Sequence, residues 1–341
     1  MKLGFTAGYW SAGPPAGIEE SLRAAEDLGY DSFWTAEAYG SDALTPLAWW
    51  GARTKRIKLG TSIAQISART PAATAMAAMT LDHLTNGRFI LGLGASGPQV
   101  VEGWYGQPYN RPLERTREYV EIIRKILARD EPVEYAGKQY AVPYPGGTGL
   151  GKPLKSIIHP LRADLPIYLG AEGPKNVAMT AEIADGWFPI WFSAKADGFY
   201  RKALDEGFAR PNGRHKSDDF GIACAVSVIP LDDIEAAANI MRPTLALYIG
   251  GMGARTMNFH YDVFARMGYE AECETIQERY LAGDRKGAMA AIPTRLVEEV
   301  ALIGPIGKIK DDLEAWKQTC VTTLLVGGPP PLLETLAKVV S

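Results

Sequence analysis

The sequence predicts an α/β fold, a (β/α)8 TIM barrel with insertions, and three observations carry that prediction. Short apolar strands alternate with stretches of helical periodicity eight times along nearly the whole chain. Such β-α alternation implies parallel strands joined by right-handed crossovers. No composition shift marks a linker within the 341 residues. A doubly wound open sheet is the competing architecture, and the eightfold count without a domain break favours the barrel.

The elements follow in order. Residues 2–9 read as a strand, and "GIEESLRAAEDL" (17–28) as an amphipathic helix stopped by Gly29. "DSFWTAEAY" (31–39) is the second strand, followed by a short helix over 44–54. "IKLGTSIAQI" (57–66) is the third strand. The helix over 71–86 opens on Pro71, which suits a first helical position, and closes at Asn86-Gly87. "RFILGLGAS" (88–96) is the fourth strand, with a long amphipathic helix over 113–130. The rhythm breaks over 131–165, where "VEYAGKQYAVP" reads as a small hairpin and "PYPGGTGLGKPL" as a loop. It resumes with strands at 166–173, 186–192 and 220–230 and helices at 174–184, 194–209 and 232–249. Residues 250–292 read as inserted helices. A helix near 308–319, a strand at 321–327 and residues 331–340 complete a single domain over 1–341.

Apolar and charged fractions are those of an ordinary globular protein, and the net charge of -3 offers no general attraction to nucleic acid or anionic lipid. No apolar run is long enough to span a bilayer, and the N-terminus enters a strand without the pattern of a signal peptide. Cys224, Cys273 and Cys320 lie far apart, which suggests a reducing compartment and no zinc site. The expected setting is the cytoplasm, with neither nucleic acid nor membrane as partner. His83, His159, His215 and His260 show no metal-binding spacing, so no metal is expected.

"GRFILGLGASG" (87–97) has the GxGxxG spacing of a dinucleotide-binding turn at Gly92, Gly94 and Gly97. Its context is wrong. Pro98 follows, the clear helix begins only near 113, and no acid closes a following strand. In a barrel, these glycines are expected instead to let backbone approach a flat ligand.

"LGTSIAQISARTPAATAMAAMTLDHLTNGRFILGLGASGP", "YLGAEGPKNVAMTAEIADGWFP" and "VALIGPIGKIKDDLEAWKQTCVTTLLVG" resemble the bacterial luciferase-like superfamily of flavin and deazaflavin oxidoreductases. The likeness is greatest to its coenzyme F420-dependent, methylenetetrahydromethanopterin reductase-like branch. The resemblance implies a barrel that holds a flavin-like ring at the C-terminal ends of its strands, a non-prolyl cis peptide at Ser62–Ile63 beneath that ring, and ring contacts from Ala95 and Ser96. It also implies a cofactor phosphate held by Ala171, Glu172 and Gly173. There "EGPKN" reads as a turn into a helix with outward N–H groups, and the Glu172 side chain is expected to point away. A homodimer is implied as well.

The chain departs from the F420-dependent dehydrogenases of that family. Their Asp-His pair after the second strand is Glu37-Ala38 here, and their further acids fall on Trp10 and Gly97. Glu37 remains the candidate acid facing the ring. Trp10, Tyr39, Trp104 and Tyr105 are candidate walls for a small-molecule substrate. Arg69, Lys152, Lys155, Arg162 and Lys175 are candidates to attract the acidic tail of F420. The function expected is hydride transfer between F420 and an organic substrate, in the direction of substrate reduction. The alternatives are an FMN-dependent luciferase-like monooxygenase and a non-catalytic cofactor-binding barrel.

Overall fold

A computed structural model describes residues 1–340. Eight strands form the barrel: β1 (Lys2–Thr6), β2 (Ser32–Thr35), β3 (Lys58–Thr61), β4 (Phe89–Gly94), β5 (Ile167–Gly170), β6 (Gly186–Phe188), β7 (Gly221–Ala225) and β8 (Thr323–Val326). Each pairs in parallel with the next, and β8 closes on β1 from Lys2↔Thr323 to Phe5↔Val326. The predicted closed barrel is thus the observed one. Strands of this kind are covered on both faces, which is why "FILGLG" is buried at every position.

The ring around the barrel is built from α1 (Ile18–Asp27), α2 (Thr45–Gly51), α3 (Pro71–Leu84), α4 (Pro112–Ala128), α5 (Pro174–Ile183), α6 (Asp197–Phe208), α7 (Ile306–Lys317) and α8 (Pro330–Val340). Local chemistry sets their starts. Thr70 caps α3 by accepting the Ala73 N–H at 3.2 Å, with Pro71 next. The hairpin over Tyr135–Ala136 and Ala141–Val142 forms as its sequence suggests. The Glu118 carboxylate pins it by accepting the N–H groups of Lys138, Gln139 and Tyr140.

One reading changes. The helix at Ile234–Gly250, assigned by periodicity to the barrel ring, belongs with the inserted helices. Its Leu245 and Ile249 share an apolar core with Phe264, Ile276, Leu296 and Val297, separate from the barrel core. A parallel pair, Ser227–Ile229 with Ala301–Ile303, carries the chain out to this insertion and back. The ring position between β7 and β8 falls to α7 instead. An apolar face at helical spacing says that a helix is buried, not which neighbour buries it.

A candidate active site at the C-terminal end of the barrel

The expected site residues follow the C-terminal ends of β2 to β5, the end of a barrel where its loops carry chemistry. The sequence creates a bulge there. From Gly60↔Ile90 to Ala64↔Leu93 the third strand advances four residues while β4 advances three. The extra residue falls at the Ser62–Ile63 peptide, which is cis. Ile63 turns its side chain into the barrel, over the bare faces of Gly94 and Gly170.

The bulge also shows why Gly92 and Gly94 of "GLGASG" are bare. A Cβ at Gly92 would collide with the carbonyl oxygen of Thr61, and one at Gly94 would lie 2.8 Å from Ile63 Cδ1. The close approach that Gly92 and Gly94 permit here is to the neighbouring strand of the same barrel. Thr61 seals the contact, its hydroxyl donating to Gly92 O at 2.7 Å and accepting the Gly92 N–H at 2.9 Å. A single helical turn, Pro98–Val101, follows Gly97, where the sequence showed no helix before 113.

Glu37 lies two residues beyond β2 and is 4% exposed. Arg69 donates to both of its oxygens, at 2.8 and 2.9 Å, and the Gln65 N–H donates to Oε2 at 2.9 Å. The Glu37 N–H in turn donates to Ile63 O at 3.2 Å. In each of these contacts the Glu37 carboxylate is the acceptor. It is a fastener for the bulge. The hydrogen-bonded Glu37 pushes the Arg69 guanidinium further up in pKa, so Arg69 is committed here rather than free for an acidic tail. Arg162 is likewise committed, to Asp82 and Phe89 O, and Lys155 donates to Asp130 O. Lys175 stands exposed at the start of α5.

Ala95 and Ser96 follow β4, with Ser96 in the left-handed region at φ 59°. Ala171 is buried and its carbonyl accepts the Trp187 indole N–H at 2.8 Å. Gly173 precedes α5 with no side-chain cap; Pro174 has no N–H and the Asn176 and Val177 N–H groups donate to Gly173 O, so of the first turn the Lys175 N–H is the one left without an intrahelical partner. Glu172 turns toward the insertion, where Oε1 lies 3.0 Å from His260 Nδ1. Arg266 donates to its backbone carbonyl at 3.4 Å.

The expected aromatic walls divide. Trp10 packs on Trp50 at 5.7 Å, and Tyr105 donates to Ala38 O at 3.2 Å. Tyr39 and Trp104 are exposed. The sequence reading missed Tyr9, Tyr109, Trp191 and Tyr248. Tyr9 follows β1 and faces Tyr248 of the insertion. Burial, then Tyr9 and Glu172 beside it, pushes the Tyr248 phenol up, and burial with Glu172 does the same to Tyr109. Among the described residues no His, Cys, Asp or Glu cluster could hold a metal, and no helix is long and apolar enough to cross a membrane.

A closed parallel barrel with a bulged third strand and its polar loops at the C-terminal end defines a (β/α)8 barrel of the enzyme type. The sequence model of the luciferase-like monooxygenase family matches residues 4–323, and the chain belongs to that family. It is 52% identical over 343 aligned positions to a Mycobacterium tuberculosis protein named "putative coenzyme F420-dependent oxidoreductase", covering 100% of this chain and 99% of the relative. It is 28% identical to the 5,10-methylenetetrahydromethanopterin reductase of Archaeoglobus fulgidus, covering 92% and 89%. The solved coenzyme F420-dependent tetrahydromethanopterin reductase of Methanopyrus kandleri superposes with a TM-score of 0.78, over 100% of this chain and 99% of the other at 23% identity.

Proposed function

We propose that this chain is an F420-dependent oxidoreductase that transfers a hydride between F420 and an organic substrate, in the direction of substrate reduction. The observation that carries the reading is the 52% identity, across the whole chain, to the protein bearing that name.

The residues present fit such a cofactor. The uncapped start of α5, with Lys175 exposed beside it, suits a phosphate. The bulge at Ser62–Ile63 and the backbone of Ala95 and Ser96 suit the face of a flat ring. When bound, the deazaflavin supplies a two-electron hydride carrier. The chain supplies position. Glu37 and Arg69 hold the bulge in place, Ala171 and Gly173 present backbone, and the Glu172 side chain is drawn off toward the insertion. The aromatic residues around the barrel end shield the reacting centre from water. With Ala38 where the dehydrogenases carry histidine, and with the Glu37 carboxylate already engaged by Arg69 and the Gln65 N–H, no free base stands after β2 to take a proton from an alcohol. That favours reduction over oxidation. The same reading includes a homodimer acting in the cytoplasm.

Fluorescence titration of the purified protein with F420 and, separately, with FMN tests the proposal. Binding of F420 at micromolar concentration or below, with much weaker FMN binding, supports it. Tight FMN binding alone overturns it in favour of an oxygen-dependent monooxygenase. Binding of neither sinks both. F420 binding without turnover over a broad acceptor panel leaves a cofactor-binding barrel.

A further inference from the structure

Three polar atoms near the barrel end are buried without a hydrogen-bond partner: Glu172 Oε2, Trp191 Nε1 and His260 Nδ1. They belong to one continuous cluster. The Trp191 ring meets Tyr248 edge-on at 4.9 Å, Tyr248 meets His260 at 4.8 Å, and His260 Nδ1 lies 3.0 Å from Glu172 Oε1. That last contact is close but off the N–H direction, so it is not a directed hydrogen bond. Buried polar groups are normally paired, because leaving one unpaired costs about 1–3 kcal/mol. Trp191 also sits in the left-handed region at φ 52°, uncommon for a bulky side chain and found where the surroundings impose it. β5, β6 and the insertion each contribute to the cluster, beside the loop expected to hold the cofactor.

We propose that Glu172, Trp191, Tyr248 and His260 form a substrate subsite for the end of an organic acceptor that carries a hydroxyl or N–H group and no negative charge. The inference rests on the reading of this chain as an oxidoreductase and adds the substrate class. A hydroxyl can donate to Glu172 Oε2 or accept the Trp191 indole N–H. Trp191, Tyr248 and Phe264, which lies 5.7 Å from Trp191, supply an apolar wall for the attached carbon skeleton. A carboxylate or phosphate at this end of the substrate would meet the Glu172 carboxylate in a poorly hydrated place.

The test uses benzyl alcohol and benzoate as matched probes, with affinities from ligand-observed NMR titration of the full-length protein. Wild type is expected to bind benzyl alcohol roughly tenfold more tightly than benzoate, as one poorly screened like-charge contact would produce. E172Q is expected to bring the two within about threefold, and W191F to weaken benzyl alcohol by a similar factor. Benzoate binding as tightly as benzyl alcohol to the wild type overturns the proposal. So does an E172Q ratio equal to the wild-type ratio, or binding of neither probe. The wild-type ratio stands even if a variant fails to fold. F420 titration of the same samples separates the two readings. Wild type that fails to bind F420 refutes the proposed cofactor, while the probe ratio decides the subsite independently.

Discussion

Removing Arg69 tests whether Glu37 is a fastener or an acid. Arg69→Met keeps most of the aliphatic stem and deletes the guanidinium that donates to both Glu37 oxygens. The Glu37 side chain is 3% exposed and that of Arg69 is 23% exposed, so the ion pair is screened little by water. Leaving such a carboxylate unpaired costs about 3–5 kcal/mol. Glu37→Gln keeps an oxygen for the Gln65 N–H and leaves the charge on the more exposed partner, so its cost is smaller, roughly 1–3 kcal/mol. Once the pair is broken, the second substitution removes an already orphaned group. The double variant should therefore cost less than the sum of the singles by about 2 kcal/mol or more. Urea unfolding of the four proteins at neutral pH measures this coupling. F420 titration of the variants should show weaker binding, because the Glu37 carboxylate ties Arg69 to the Gln65 N–H beside the bulge at Ile63. Single variants within about 0.5 kcal/mol of wild type would refute the fastening role. A stable Glu37→Gln protein that binds F420 normally but loses turnover with a shifted pH profile would restore Glu37 as a proton donor.

Three further outcomes follow from the structure. Gly92→Ala places a Cβ against the Thr61 carbonyl, a backbone atom that cannot move aside, so it should cost more than about 4 kcal/mol and yield little soluble protein. Burial alone would raise the Asp185 pKa, but Arg124, the Ile167 N–H and His215 together hold it below the usual carboxylate range. A lowered folded-state pKa gives stability that is present above about pH 4 and is lost as pH falls through the folded value. Wild type should thus lose more stability than Asp185→Asn between about pH 4 and pH 2 in urea melts, and equal losses would disprove the link. Phe264→Ala empties part of the insertion's own core and should cost about 3–5 kcal/mol. Hydrogen exchange should then rise over 234–300 before it rises in the barrel strands, because the two cores are distinct.

The barrel was legible because each strand is a short apolar run between helices, and eight such units leave one way to close. The site was legible only where it sits on that frame. Glu37, Ser62, Ile63, Ala95, Ser96 and the 171–173 turn all follow strand ends, but it was the family resemblance, not the strand count, that singled them out. Their partners do not announce themselves. Arg69 reads as one more surface cation, because nothing local ties it to a carboxylate 32 positions earlier. Gly92 and Gly94 show that a bare backbone is needed, yet the spacing alone does not say that the neighbouring strand is one thing that needs it. His260 and Tyr248 were the hardest to see. They lie in an insertion whose helices have their own core, so their periodicity speaks of that core and not of the barrel end they reach. The rigid frame and the residues that face it are thus encoded differently: the frame as repeating pattern, the insertion's contribution as single side chains whose position depends on how two separate cores meet. Glu172 and Trp191 stand where the two meet, on barrel loops that touch His260 and Phe264 of the insertion.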